Sequence, residues 1–420
     1  MNKEENKTLP QLRFPEFKKS WCLTRVGDNC TLKGRIGYRG YTKEDLVKKG
    51  NGALVLGGKN IQSHLLDLSE QTFLTWEKYY ESPEIMVEIN HIIFSQRGSL
   101  GDCAYIHTDI GKATINPSMV LLKDIRCNSR FLYYILISNQ IQKEVERIST
   151  SSAVPMLSQK QIKEFPFYIP LPEEQQKIAN CLSSLDDVIN AENEKLQLLQ
   201  DHKKGLLQQL FPQQGESQPK YRFPEFVYDG DWEENNLGKV CKYFNGGSHE
   251  KNVTDDGDYY LISLNSIDIE GNLKEEMKRV SNSDNSLVKN DLVMVLSDVA
   301  HGNFLGLCAI IPNEKYVLNQ RMAGLRLRNG NINVQFLRFF INNSQKYFKR
   351  TGQGSSQQNL AKSSVENFPV LLPNIQEQQK IANCLSSVDE LIASQQQKIE
   401  GLKAHKKGLL QKLFPKVNEV

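Results

Sequence analysis

The sequence predicts an α+β protein. Two mixed α/β domains stand in pseudo-twofold tandem repeat, separated by two long helices that form an antiparallel coiled coil. Three observations predict it. A forty-residue segment beginning at 173 returns at 376 with 25 identities. Both copies carry a narrow apolar seam at helical spacing. The stretches before each copy diverge almost completely and mix short β-rich apolar runs with polar, glycine-containing loops. A repeat of this kind sets the architecture before any single residue is considered.

The reading divides the chain into a first variable domain (1–170), a first long helix (171–213), a second variable domain (214–371), a second long helix (372–415) and a tail (416–420). A chain of 420 residues exceeds the usual size of one domain. Hydrophobic residues make up 39% and charged residues 24%, enough for true cores. No apolar run is long enough to cross a bilayer, and the polar start Met1-Asn2-Lys3-Glu4-Glu5 lacks a secretory core, so a cytoplasmic protein is expected. The eight cysteines include no metal-ligand spacing and read as small buried hydrophobes.

The helix signals are explicit. Pro172 with Glu173 and Glu174 suits a first turn, and Asn374 three residues before Glu377 suits an N-cap with a box partner. Phe211-Pro212 and Phe414-Pro415 end the two helices. The seam comprises Leu182, Leu185, Ile189, Leu196, Leu199, Leu206 and Leu210, answered by Leu385, Val388, Ile392, Ile399, Leu402, Leu409 and Leu413. Glu192 and Lys203 interrupt the first copy where Gln395 and Lys406 interrupt the second, and antiparallel packing puts Glu192 near Lys406. Gly205 and Gly408 sit inside helical pattern at a cost of about 1 kcal/mol each, which suggests close approach of another backbone or a fraying end.

Net charge is only +3, but its distribution is uneven. Residues 315–364 hold nine basic residues and no acid, and a thinner basic cluster spans 25–43. Arg, Lys, Gln and Asn side chains match base edges and phosphates, and small Ser or Gly loops allow close backbone approach. The candidate DNA contacts are therefore Lys33, Arg35, Tyr38, Arg39, Gln96, Arg97, Ser151 and Ser152 in the first domain. In the second they are Ser248, Arg321, Arg326, Arg328, Gln357, Gln358 and Asn359.

Catalytic signals are weak. Asn116-Pro117-Ser118-Met119 lacks the second proline and the aromatic of an adenine methyltransferase site, and Gly352-Gln353-Gly354 lacks the third glycine of a cofactor loop. No nucleotide-binding Walker loop is present. Asp268 with Glu276 and Lys278 could suggest a nuclease, but the first half has no counterpart. The expectation is a chain that binds and does not catalyse, with no metal and no cofactor of its own.

The repeated Glu-Gln-Gln-Lys-Ile-Ala (174–179 and 377–382), Phe165-Pro166 and Phe368-Pro369, the His-Lys-Lys-Gly-Leu-Leu-Gln helix ends and the Arg-Phe-Pro-Glu-Phe starts (13–17 and 222–226) complete a pattern. It resembles the specificity subunit of a type I restriction–modification system over nearly the whole chain. The resemblance implies two target recognition domains, each reading one half of a bipartite double-stranded DNA sequence. It also implies helices that act as a spacer and bind two modification (methyltransferase) subunits, with restriction (translocase/nuclease) subunits joining afterwards. S-adenosylmethionine, ATP and magnesium would then belong to those partners. The competing reading is a coiled-coil interaction scaffold that does not bind DNA.

Overall fold

The computed structural model describes residues 9–150, 155–213, 215–299, 303–354 and 357–417. The chain forms two compact units, Met1–Asn193 with Gln397–Val420, and Glu194–Gln396. That division cuts both long helices, Pro172–Leu210 and Ile375–Leu413, near their middles. Each unit thus holds one variable domain, the first half of the helix that follows it and the last half of the other helix.

The two variable domains share a plan. In the first, an antiparallel sheet runs in the order Cys103–Tyr105, Ile92–Ser95, Met119–Lys123, Thr31–Gly34. A second sheet places Gly52–Leu56 parallel to Ala113–Ile115. In the second domain the matching sheet runs Cys241–Asn245, Met322–Leu327, Leu292–Val295, Cys308–Ile310. Its parallel pair is Tyr259–Ile262 with Tyr316–Leu318. The fully buried apolar runs of these central strands explain why they are legible as strands.

Helical patterning in the sequence runs over residues 131–147 and 334–348, and in the structure each stretch breaks in two. Ser129–Leu136 is followed by Asn139–Thr150, and Val334–Asn343 by Gln345–Thr351. At the second break the Ser344 hydroxyl donates to the Phe340 carbonyl (2.9 Å), a back-bond that competes with helix continuation. Two strand pairs escaped the sequence reading: Cys22–Arg25 with Pro166–Ile169, and Glu233–Asn236 with Pro369–Leu372. They tie each domain's beginning to the segment that enters its long helix.

The antiparallel helix pairing is visible within each unit. In the first, Glu192 pairs with Lys398 (2.6 Å) and Asp186 with Lys406 (2.5 Å), so numbering falls on one helix as it rises on the other. In the second, Lys203 pairs with Asp389 (2.5 Å). The expected Glu192–Lys406 proximity is thereby corrected. The register sets each seam lysine against an aspartate, because Asp186 and Asp389 lie one residue after seam positions Leu185 and Val388. All fourteen seam residues are buried or half-buried. The Leu-Phe ends then plug the domain cores. Phe414 meets Phe131 (5.7 Å between ring centres) in the first unit, and Phe211 meets Phe336 (5.4 Å) in the second.

The remaining repeated motifs meet one another. Arg13 donates through Nε and Nη2 to both oxygens of Glu174 (2.8 Å each), and Arg222 does the same with Glu377 (2.8 and 2.7 Å). Glu16 pairs with Lys177 and Glu225 with Lys380. The Asn128 backbone N–H donates to Gln175, and its side-chain amide to Gln176, while Asn128 itself caps the Ser129–Leu136 helix. Asn333 repeats all three contacts with Gln378, Gln379 and Phe336. Asn374 does cap the second long helix, accepting from the Glu377 N–H (2.9 Å), but the Glu377 carboxylate is engaged by Arg222 instead of closing a capping box. The constant residues are scaffolding.

Candidate nucleic-acid interface

Strand direction gathers five loops at one end of the second variable domain and four at the matching end of the first. In the second domain the chain leaves Tyr259–Ile262 and Tyr316–Leu318, which are parallel, at the same end. The Asn319 N–H donates to the Ile262 carbonyl (3.0 Å), joining loop 319–321 to loop 263–266. The Gly247 N–H donates to the Leu318 carbonyl (3.0 Å), and the His249 N–H to the Asn319 side chain (3.3 Å), adding the loop around Ser248. A Cβ on Gly246 would lie 2.1 Å from the Asn319 carbonyl oxygen, so only glycine permits this approach. The Leu296 N–H donates to Arg321 (3.1 Å) and the Leu360 N–H to Leu296 (2.8 Å), which brings in the paired segments Ser297–Val299 and Gln357–Asn359.

The first domain repeats three of these backbone bonds and the strand bridge. Asn116 donates to Leu56 (2.9 Å), Gln96 to the Ser118 carbonyl (2.8 Å), and Leu157 to Gln96 (3.0 Å), while Arg97 bridges Met156. Three backbone bonds are thus common to both rims, although the loop sequences differ almost everywhere.

Seven of the fifteen proposed contacts fall on these rims. Ser248, Arg321, Gln357, Gln358 and Asn359 share the second. Gln96 and Arg97 lie on the first, and Lys33 sits on Thr31–Gly34 leading into it. Ser151 and Ser152 lie outside the described residues. Arg35 and Arg39 are committed to structure. Arg35 donates to the Ile115 carbonyl and to Thr114 (3.2 and 3.0 Å), and Arg39 pairs with Glu84 (3.3 Å). Burial draws the Arg35 guanidinium below its ordinary range, against the nearby Tyr41. Tyr38, 80% exposed, projects between them.

Arg326 and Arg328 lie elsewhere. Five residues of extended chain separate Arg321 from Arg326, about 17 Å. Arg326 is bidentate to the buried Asp291 (2.9 and 2.7 Å), whose hydrogen bond raises the guanidinium pKa. Arg328 donates to the Gly238 and Cys241 carbonyls (3.2 Å each). Arg338, from the same acid-free stretch, is buried against Asp389. Acids distant in sequence thus neutralise much of that stretch. Arg321 differs: it is exposed, held at φ +69° and has no acceptor for its guanidinium among the described residues.

Lys59, Asn265 and Gln320 also stand exposed on these rims and were not anticipated. The signal was the pair of parallel strands, whose carboxyl ends must release loops on the same side. Beside them Glu250 bonds Lys278 (3.0 Å) and the Asn319 amide (2.8 Å), and the lysine's hydrogen bond holds its carboxyl below the usual range. Asp268 accepts from the Glu270 and Asn272 N–H groups of its own turn, whereas Lys278 is engaged by Glu250. No cluster of metal-ligating side chains occurs among the described residues. Burial pushes the Cys103 and Cys308 thiols well up, whereas Cys22 is exposed and Cys127, Cys181 and Cys384 are half-buried. No helix among the described residues is long and apolar enough to cross a membrane.

Comparison with known proteins agrees with this plan. A putative type I restriction enzyme MjaX specificity subunit from Methanocaldococcus jannaschii is 24% identical over 75% of this chain and 78% of its own length. The MjaVIII specificity subunit of the same organism is 26% identical, over 44% of this chain and only 42% of its own length. Among solved structures, the S subunit of a type I system from M. genitalium superimposes with a TM-score of 0.60 at 17% identity, covering 98% of this chain and 100% of that one. A chain from a type I R-M system studied for complex assembly and conformational transition gives 0.58 at 16% identity, covering 94% and 97%. The family described as the type I restriction modification DNA specificity domain matches residues 70–201 and 229–404, and the chain belongs to that family.

Proposed function

We propose that this chain reads a bipartite double-stranded DNA target, with residues 1–170 and 214–371 as the two recognition domains. The observation that carries this reading is the duplicated rim. Three matching backbone bonds hold two sets of loops whose side chains differ: Lys59, Gln96 and Arg97 on one, Asn265, Gln320, Arg321 and Gln357–Asn359 on the other, with Gln96, Gln357 and Gln358 half-buried and the rest exposed. A constant frame presenting variable Arg, Gln and Asn side chains suits direct reading of base edges in the major groove.

The chemistry belongs to partners. Two modification subunits would bring S-adenosylmethionine and methylate adenine, and restriction subunits would bring ATP and magnesium, in a cytoplasmic complex. This chain supplies only the choice of sequence. Genome-wide mapping of N6-methyladenine in cells with and without the chain tests the reading. A two-part methylated motif should vanish on deletion. An unchanged methylation pattern would oppose the proposal.

A further inference from the structure

The first domain carries an exposed aromatic plate that the second lacks. Strand Phe73–Thr75 turns into the short helix Trp76–Tyr80. Tyr79 points into the core, whereas Trp76 is 40% and Tyr80 61% exposed. The Trp76 and Tyr80 rings stack with centres 6.2 Å apart at 29°. Tyr79 meets both edge-on, at 6.0 and 5.1 Å, and anchors the pair to the domain. In the second domain, where Arg279–Val280 takes the place of Phe73–Thr75, no helix is present among the described residues between Arg279–Val280 and Leu292–Val295.

The chain around the plate is rich in carboxylates, and Glu88 acts electrostatically on Tyr79. Residues 76–90 contain Glu77, Glu81, Glu84 and Glu88 against one lysine, Lys78. Lys78 is held by Glu81 (2.9 Å), and Glu84 holds Arg39 (3.3 Å). Glu77 and Glu88 form no ion pair among the described residues, though Glu77 acts through space on Lys78 and Glu88 on His91. A nucleic-acid strand stacking here would carry its phosphates into like charge. A guanidinium meets neither obstacle. It stacks on aromatic faces and donates to carboxylates with the same planar group.

We infer that the plate of Trp76 and Tyr80, with Glu77 and Glu88, is a docking surface for an arginine-bearing segment of a protein partner. The site is distinct from the DNA-reading rim and does not depend on that assignment. Its occupant is defined by chemistry: a basic, exposed peptide segment with at least one arginine side chain free to lie flat.

The test uses the full-length chain and a fluorescent nona-arginine peptide at about 150 mM salt, where weak long-range attraction is screened. Anisotropy should report binding that weakens about tenfold in Trp76→Ala/Tyr80→Ala and in Glu77→Gln/Glu88→Gln, the size of one desolvated cation–π contact. Trp21 and Trp232 are each only 3% exposed, so acrylamide quenching reports chiefly on Trp76, and the peptide should shield it. Tyr80→Ala alone removes an exposed ring and keeps the test valid should the double variant unfold. Binding indifferent to these substitutions would overturn the proposal. So would shielding of Trp76 by duplex DNA in place of the peptide.

Discussion

The two units solve the same packing problem with different residues, and the differences fall into two groups. Asp186 in the first unit receives Lys406 and the Tyr134 hydroxyl (2.7 Å), a balanced arrangement with one cation. Its counterpart Asp389 receives Lys203 and the buried Arg338, two cations on one carboxylate. Tyr134 is held protonated by burial and by Asp186, so it adds a hydrogen bond without charge. Yet the Arg-to-Glu clamps, the Asn caps and the Leu-Phe plugs are the same in both. Substitution is tolerated beside the frame and in the rims, and the frame itself repeats. On the proposed function, that division lets the rims change while the frame is kept.

The largest effect should come from breaking a clamp. Arg222→Ala leaves the Glu377 carboxylate, 1% exposed, buried without its cation, and should cost about 3–5 kcal/mol in denaturant unfolding. Arg13→Ala should do the same in the first unit at somewhat lower cost, since Arg13 is more exposed than Arg222 (14% against 7%). Equal losses of far less than 1 kcal/mol would show that these pairs are not structural.

Arg326 and Arg321 should then separate stability from recognition. Arg326→Ala orphans the buried Asp291 and should lower stability by about 2 kcal/mol, with the recognised sequence unchanged. Arg321→Ala should leave unfolding almost unaffected and relax one base position by about 1–3 kcal/mol in competition binding. The reverse pattern would place the reading surface along the strand instead of at the rim.

A smaller gain is expected from the helix glycines. A Cβ on Gly205 or Gly408 meets nothing within 4 Å, so no other described part of the chain explains them. Alanine at either position should raise stability by about 1 kcal/mol, measured by denaturant unfolding. Destabilisation would reveal a backbone requirement that the open space does not show.

The smallest expected effect is a difference in acid sensitivity. Burial lowers the pKa of His64 and of His91, whose Nδ1 accepts the Glu88 N–H (3.0 Å). Between the folded value and the unfolded value near 6.5 the unfolded chain binds more protons, so stability falls as pH drops through that interval. Both histidines lie in the first unit. Thermal melts from pH 7.5 to 5.5 should therefore weaken the first unit more than the second, and His64→Gln/His91→Gln should reduce the difference.

Periodicity and repetition made the architecture legible. The seam leucines, the proline stops and the duplicated motifs are local signals, and the central strands announce themselves as short apolar runs. What the Arg-Phe-Pro-Glu-Phe and Glu-Gln-Gln-Lys motifs do was not legible, because Arg13 and Glu174 meet across 161 positions. The basic stretch 315–364 misled for the same reason. Its acid-free sequence draws on Asp291, Glu366 and Asp389 from outside, and only folding shows that Arg326 and Arg338 are engaged while Arg321 is not. Lys59, Asn265 and Gln320 required knowledge of strand direction, which neither composition nor spacing supplies.

The central claim, that two independent rims read two half-targets, is tested most directly by mapping the methylated motif in cells carrying Arg97→Ala, Arg321→Ala or both. Each single variant should relax or alter one half of the motif and leave the other half intact, and the double variant should combine the two changes. Variants that both alter the same half, or that lose both halves together, would contradict the account.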